Sequence, residues 1–192
     1  STPKPSSAAS DVYKRQFEKG STIPFTGNVN GKAEGAFKNG LPEGKWVEYS
    51  VTGKILSKSN YLNGKLNGEF LNYYSTGNLK EKGYLKDGKL EGELQEFYNK
   101  GQIKLKQNYK SDKEEGVSES FYKNGTIKEK RNYKDGKLEG QYLYFYNNGK
   151  LWIKNHYKKG LLHGNREVYF KDGKLEKKEK YKNGFNLTKS LH

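Results

Sequence analysis

The chain has 192 residues, of which only 31% are hydrophobic, and its formal net charge is +15 at pH 7. A hydrophobic fraction well below the roughly 45–50% usual for globular chains argues against a thick apolar core. The chain has no cysteine, which excludes disulfides, thiol catalysis and cysteine-ligated zinc. No stretch approaches the roughly 20 apolar residues that a membrane-spanning helix needs.

The chain begins with a segment rich in Ser, Pro and Ala, STPKPSSAAS, and we predict a flexible leader over residues 1–12. Residues 13–36 match the pattern that follows only in part, with an aromatic residue and then Gly27 and Val29. This stretch is predicted to be a degenerate N-terminal repeat or cap. Because Met is absent even from position 1, we expect a processed or trimmed chain.

Residues 37–184 repeat with a period of 24 residues. Two glycine columns run unbroken through six copies, and a third is interrupted only by Asp112. Such a period is typical of a repeat protein in which each unit is one supersecondary element. The units begin at residues 37, 61, 85, 109, 133 and 157, a seventh begins at Tyr181, and residues 185–192 are predicted to be a C-terminal tail.

Each unit contains two segments of about eight residues, such as QYLYFYNN and KLWIKNHY, separated by Asn-Gly or Asp-Gly. The aromatic and β-branched residues favour strands, and the glycine pairs accept the positive φ of hairpin turns. The predicted fold class is therefore all-β, an elongated antiparallel meander of about six tandem hairpins in a single solenoid-like sheet. With strands about 4.8 Å apart, twelve strands would extend roughly 55–60 Å.

Alternation along the strands predicts which residues share a face. An Ile or Leu column (Ile55 to Leu175) has the parity of the aromatic residue that opens the next unit, and the Lys58 column has the opposite parity. We expect the column Tyr49, Tyr73, Phe97, Phe121, Phe145 and Tyr169 to lie inside with the Ile/Leu column. The next column along the chain would then show its rings outward, beside the lysines.

These lysines and outward tyrosines are the predicted ligand-binding residues. A cationic row with neighbouring rings suits an anionic partner, because lysine attracts the charge and tyrosine stacks on sugars, bases or lipid headgroups. The competing interpretation is structural: the lysines pair with Glu48, Glu96, Glu129 and similar carboxylates and only keep the sheet soluble. The predicted set is Lys82, Lys106, Lys130, Lys154 and Lys178, with Tyr74, Tyr98, Tyr122 and Tyr146.

Catalysis and metal binding are not indicated. The three histidines, His156, His163 and His192, are single and scattered departures from the repeat, whereas an active site groups an acid, a base and a nucleophile. Asp87, Asp135 and Asp172 precede turn glycines, where aspartate favours the turn itself. We expect no enzyme activity, no metal and no cofactor.

The pattern of Tyr-x-x-Gly, then Gly-x-x-x-x-Tyr-Tyr, then Asn-Gly-x-Leu resembles the MORN repeat, and specifically its bacterial variant. The clearest copy is YKDGKLEGQYLYFYNNGKL, residues 133–151, and the resemblance covers about residues 37–184. It implies a twisted sheet of successive hairpins and a role as a scaffolding or lipid-associated module. Similar bacterial chains are often labelled antitoxin components. Asp112, Ser118 and Arg166 depart from the pattern, so we expect copies four and six to be looser locally.

The leading functional hypothesis is a non-enzymatic module that binds a macromolecule through a basic and aromatic sheet face. A protein partner is expected first, then an anionic cell-surface component such as a polysaccharide, with neutralisation of a cognate protein and anionic-membrane association as alternatives. Nucleic acid is least favoured, because the lysines are spread along the chain. Secretion or cell-surface display is slightly favoured over the cytoplasm. The sequence leaves the oligomeric state open, including edge-to-edge association.

Overall fold

The computed structural model describes residues 26–188, and these are entirely strands and turns. The chain divides into two compact units, one ending at Lys89 and the other beginning at Leu90. The predicted leader, residues 1–12, lies outside the described residues, as does the part of the predicted cap before residue 26. The prediction of an all-β fold built from tandem hairpins is confirmed.

The first unit contains seven strands that pair antiparallel in chain order. Its strands are β1 (Gly27–Val29), β2 (Ala33–Lys38), β3 (Leu41–Tyr49), β4 (Ile55–Leu62), β5 (Lys65–Leu66), β6 (Gly68–Tyr73) and β7 (Leu79–Lys86). The two residues of β5 pair with the end of β4. The middle of β4 pairs with β6. The next strand, β8 (Lys89–Leu90), falls where the two units divide.

The second unit repeats the arrangement in β9 to β19, again with antiparallel pairing between successive strands. Its strands are β9 (Gly92–Phe97), β10 (Ile103–Lys110), β11 (Lys113–Phe121), β12 (Ile127–Lys134), β13 (Lys137–Leu138), β14 (Gly140–Phe145), β15 (Leu151–Lys158), β16 (Leu161–Leu162), β17 (Gly164–Tyr169), β18 (Leu175–Lys182) and β19 (Phe185–Asn186). The last of these occupies two residues of the predicted tail and pairs with β18.

Two kinds of turn explain the glycine columns. At Asp135–Gly136 both φ angles are positive, 51° and 76°, which is the type I′ geometry of a two-residue hairpin. At Gly149 a single positive φ of 83° follows Asn148, while Tyr146 N–H donates to the Lys150 carbonyl at 2.8 Å. That pattern is a type I turn closed by a glycine bulge, and it recurs in each copy.

The type I′ turns are also held by the preceding hairpin, through a residue whose role the sequence did not reveal. Glu115 accepts a hydrogen bond from the Asp135 N–H at 2.9 Å, and the neighbouring Glu114 carbonyl accepts the Gly136 N–H at 2.9 Å. Both donors of the turn therefore have acceptors. Equivalent carboxylate bonds join Glu43 to the Asn63 N–H, Glu91 to the Ser111 N–H and Glu139 to the Lys159 N–H.

In the first unit, the core is a row of aromatic rings. Trp46 is 2% exposed, with Phe37 edge-on at 5.1 Å between ring centroids and Tyr61 edge-on at 5.8 Å. Gly35 leaves room for the indole, because a Cβ there would stand 2.3 Å from a ring carbon. Ring pairs of this kind contribute about 0.5–1.5 kcal/mol each beyond the area they bury.

In the second unit, polar residues share the buried positions with Leu94, Tyr109 and Tyr133. Ser118 stands where earlier copies have Trp46 or Phe70, and it is 2% exposed. Asp112 adopts a positive φ of 67° in place of glycine, and its carboxylate accepts the Leu90 N–H at 2.8 Å. These two departures from the repeat are thus accommodated, one by burial of a small side chain and the other by a hydrogen bond.

Candidate ligand-binding face

A β-bulge in the second strand of each hairpin decides which residues share a face. In β14 and β15, Tyr144 pairs with Ile153 while the next residue, Phe145, pairs with Leu151, so one residue is extra. Because side chains alternate along a strand, the extra residue moves everything beyond it to the other face. Phe145 and Leu151 consequently lie on the same face as Lys154. The same register shift occurs in the other copies.

The contacts agree with this placement. The Tyr169 hydroxyl donates to Glu167 at 2.8 Å, and Glu167 also accepts from Lys178 at 3.0 Å. In the first unit, the Lys58 ammonium lies 6.0 Å from the centre of the Tyr73 ring. The prediction that this aromatic column lies inside, away from the lysines, is wrong. The Ile/Leu column was misplaced for the same reason, since the bulge reverses its parity.

The predicted outward tyrosines lie on the other face and are anchored there. The hydroxyls of Tyr98, Tyr122 and Tyr146 each donate to a backbone carbonyl of the following hairpin, at 2.7–2.9 Å. Tyr146 also stacks on Trp152, with ring centroids 5.1 Å apart. Tyr74 holds the equivalent position in the first unit. The structure therefore separates the two halves of the predicted ligand-binding set, the lysines and the tyrosines.

In each unit, we call the face with the lysines the lysine face of that unit. It carries Lys58 and Lys82 in the first unit and Lys106, Lys130, Lys154 and Lys178 in the second. With strands about 4.8 Å apart and a lysine on every second strand, successive lysines stand about 10 Å apart. That separation slightly exceeds the Debye length of about 8 Å at physiological salt, so their mutual repulsion is small.

Carboxylates on the lysine face neutralise part of this row. Lys130 pairs with Glu119 at 2.9 Å, while Glu167 lies 3.0 Å from Lys178 and 3.9 Å from Lys154. Among the described residues, Lys106 has no acidic group within salt-bridge distance. The carboxylates predicted as lysine partners, such as Glu96 and Glu129, lie on the opposite face. Some lysines of the row do pair with carboxylates, as the structural interpretation expects, but the partners are Glu119 and Glu167.

Beside the lysine row runs an apolar stripe, in which a ring on one strand faces an aliphatic side chain on the next. The pairs in the second unit are Phe97 with Ile103, Phe121 with Ile127, Phe145 with Leu151 and Tyr169 with Leu175. Ile127 is 37% exposed and Leu175 is 52% exposed. The other six side chains are partly buried, so the stripe offers a partly exposed apolar surface next to fixed positive charge.

The opposite face carries partly buried charges that the sequence does not indicate. Arg131 binds Glu129 and, at 2.9 Å, the Tyr133 hydroxyl. Tyr142 donates to the same carboxylate at 2.6 Å. Burial alone would lower the pKa of the Arg131 guanidinium, but its bonds to Glu129 and Tyr133 raise that pKa overall. Burial, together with the bond to Glu129, raises the pKa of Tyr142.

A second network of this kind surrounds Glu179 in the last copy. Its carboxylate accepts from Lys177 at 3.0 Å, from Arg166 at 2.7 Å and from the Asn186 amide at 3.0 Å. The hydrogen bond from Lys177, helped by those from Arg166 and Asn186, lowers the pKa of Glu179 to about 2. Arg166 thus replaces a core ring with an ion pair. The available signal was an arginine at a position that is aromatic in three other copies, as Trp46, Phe70 and Tyr142.

Residues 26–188 contain no group of three or more His, Asp or Glu side chains placed to hold a metal ion. Nor does this part of the chain contain a helix long and apolar enough to cross a membrane.

A family model described as "MORN repeat variant" matches the chain in six consecutive copies, which together cover well over half of it. The matched residues are 42–63, 66–87, 90–111, 114–135, 138–159 and 162–183. The chain belongs to this family. MORN repeats are commonly protein-binding or membrane-binding modules, and their all-β repeat fold is generally non-catalytic. No curated protein matches the chain.

Proposed function

We propose that this MORN repeat chain is a non-catalytic module that binds an acidic protein along its lysine face. The observation that carries the proposal is a lysine at the same place in every hairpin, beside the partly exposed apolar stripe. Glu119 and Glu167 lie in the same row, so lysines outnumber carboxylates by four to two in the row of the second unit. An acidic surface would find unmatched positive charge there.

The apolar stripe favours a protein over a simple polyanion. Interfaces between proteins combine an apolar, aromatic centre with a polar rim, and the stripe and the lysine row provide these two parts side by side. Each half-exposed aliphatic or aromatic side chain that becomes fully buried stabilises a complex by about 1 kcal/mol. The lysines would contribute mainly to the association rate and to orientation.

Poly-L-glutamate tests the charge requirement, and the chain offers a matched control. The double variant Lys106→Gln/Lys130→Gln removes two charges from the lysine face. The control Lys104→Gln/Lys128→Gln removes two from the opposite face of the same strands, where Lys104 pairs with Glu96 and Lys128 lies over the Tyr122 and Tyr144 rings. We expect the first variant to weaken binding at low salt roughly 10-fold, or about 1.4 kcal/mol, and the control less than 3-fold. Equal losses would refute the assignment of the face.

The alternatives have their own tests. Vesicles containing phosphatidylserine and the acidic polysaccharide polygalacturonate carry negative charge without a polypeptide, and binding to either in preference to poly-L-glutamate would overturn the choice of a protein. Neutralisation of a toxin is a narrower form of the proposal. It requires that a neighbouring gene in a bacterial genome encode a protein that arrests growth, and that coexpression of this chain relieve that growth arrest.

A further inference from the structure

Two of the three histidines of the chain line one cavity on the lysine face. The cavity has a volume of about 390 Å³ and opens between β14, β15 and β17. This volume lies at the lower end of the roughly 300–1,000 Å³ usual for small-ligand pockets. Its polar lining includes Gln141, Lys154, His156, His163, Asn165 and Glu167.

Both histidines replace residues that other copies carry at the same place. His156 stands where Asn60, Asn108 and Asn132 stand in other copies. His163 stands where four other copies have a glutamate that holds the next type I′ turn, and where the second copy has Asn67. The Nδ1 atom of His163 lies 3.2 Å from the Asn183 side-chain oxygen. The His163 N–H donates to the His156 carbonyl at 2.8 Å, which keeps the two residues adjacent. In this copy, two imidazoles therefore border the cavity, and a histidine takes the place of the glutamate that four other copies carry.

The charges around the cavity favour an anion. Lys154 on β15 and Lys178 on β18 flank Glu167 on β17, and Lys180 on β18 is directly opposite Asn165. Gln141, which represents β14 in the lining, is uncharged. The hydrogen bonds from Lys178 and Tyr169 lower the pKa of Glu167, so this carboxylate stays ionised and is already occupied. The lining itself carries one ammonium, that of Lys154, and one carboxylate, that of Glu167. The two lysines of β18 add positive charge beside the lining, before either imidazole is protonated.

We propose that this cavity binds a carboxylate side chain of the acidic partner, and that binding strengthens as pH falls and the imidazoles become charged. The proposal rests on the proposed function, since Lys154 belongs both to the lysine row and to the cavity. The two amides, the two imidazoles and the ammonium supply hydrogen-bond donors on several sides of one site. Histidine is the side chain that gains a proton between about pH 8 and pH 5.

The matched variant His156→Asn/His163→Asn tests this site without threatening the fold, because Asn60 and Asn67 occupy the equivalent positions in other copies. Affinity for poly-L-glutamate is measured at pH 7.5 and pH 6.0. We expect the unmodified chain to bind roughly 5- to 10-fold more tightly at pH 6.0, and the double variant to change less than 2-fold. Parallel pH dependence in the two proteins would overturn the proposal.

NMR spectra of the histidine rings give a readout that does not depend on a macromolecular partner. Titration with succinate at pH 6.0 should move the His156 and His163 ring signals, and His192, which lies outside the described residues, is the reference. Unmoved signals, or signals moved by inorganic phosphate but not by succinate, would overturn the assignment to a carboxylate. If the cavity fails these tests while Lys106→Gln/Lys130→Gln still weakens binding, only the cavity proposal is lost.

Discussion

Replacing Glu179 with Gln should destabilise the second unit in a way that depends on pH. The Glu179 side chain is 5% exposed and is held by Lys177, Arg166 and Asn186. Its pKa of about 2, against an ordinary value of 4.5, corresponds to roughly 3 kcal/mol at 1.36 kcal/mol per unit. Because Lys177 and Arg166 are partly open to water, which screens their charge, we reduce this to about 1–2 kcal/mol.

The direction with pH follows from the depressed pKa. A carboxyl that ionises more readily in the folded chain stabilises it fully above about pH 4.5, and this contribution is lost as the pH falls towards 2. Urea unfolding of the two proteins at pH 7 and pH 2.5 measures the difference between them. We expect a gap of about 1–2 kcal/mol at pH 7 that shrinks to less than about 0.5 kcal/mol at pH 2.5.

Glu176→Gln is the matched control, because Glu176 is on the same strand but exposed. It should change the free energy of unfolding by less than about 0.5 kcal/mol at either pH. A gap for Glu179→Gln that is the same at both pH values would show that ionisation of this carboxyl contributes nothing. An equal effect of Glu176→Gln would show that the buried network has no special role.

Three further substitutions test the turns and the core, each by thermal or urea unfolding. Gly149→Val should lower the free energy of unfolding by about 1–3 kcal/mol, and Gly149→Asn should lower it clearly less. The φ of Gly149 is 83° and an added Cβ meets no atom within 4 Å, so the cost comes from the backbone conformation. Equal costs for Val and Asn would contradict this explanation. Glu139→Ala should lower the free energy of unfolding by about 1 kcal/mol, because the Lys159 N–H loses its acceptor at 2.7 Å. Glu139→Gln should retain most of the stability. An alanine variant as stable as the unmodified chain would show that the Glu139 carboxylate does not stabilise the turn. Trp46→Ala should cost about 3–5 kcal/mol, and a loss below about 1 kcal/mol would mean that the aromatic row is not the core of the first unit.

The repeat and its hairpins could be predicted because glycine reports backbone geometry directly. A residue such as Gly149 or Gly136 is needed where φ is positive, so its spacing marks every turn. The faces could not be predicted in the same way. The extra residue at the bulge, Trp152 in the fifth copy, has no fixed residue type, since Lys128 and Leu56 hold the same place elsewhere. Parity counted across it places Leu151 on the side opposite Lys154, whereas the bulge brings both to one face.

The buried charges escaped prediction for a different reason. A lysine-rich chain offers many candidate ion pairs, and nothing in the spacing of Arg131 and Glu129 distinguishes them from exposed neighbours. Nothing in the residues around Glu139 indicates that its carboxylate holds a turn 20 residues further along the chain. Only the register of the sheet brings Glu139 and Lys159 together.

Chemical footprinting of the lysines tests the central claim, that binding occurs on one face of the sheet. The intact chain is acetylated briefly with and without poly-L-glutamate, and modification of each lysine is measured by mass spectrometry. We predict that poly-L-glutamate protects Lys106, Lys130 and Lys154 and leaves Lys104 and Lys128 reactive. Protection spread evenly over both faces, or confined to Lys104 and Lys128, would contradict the account.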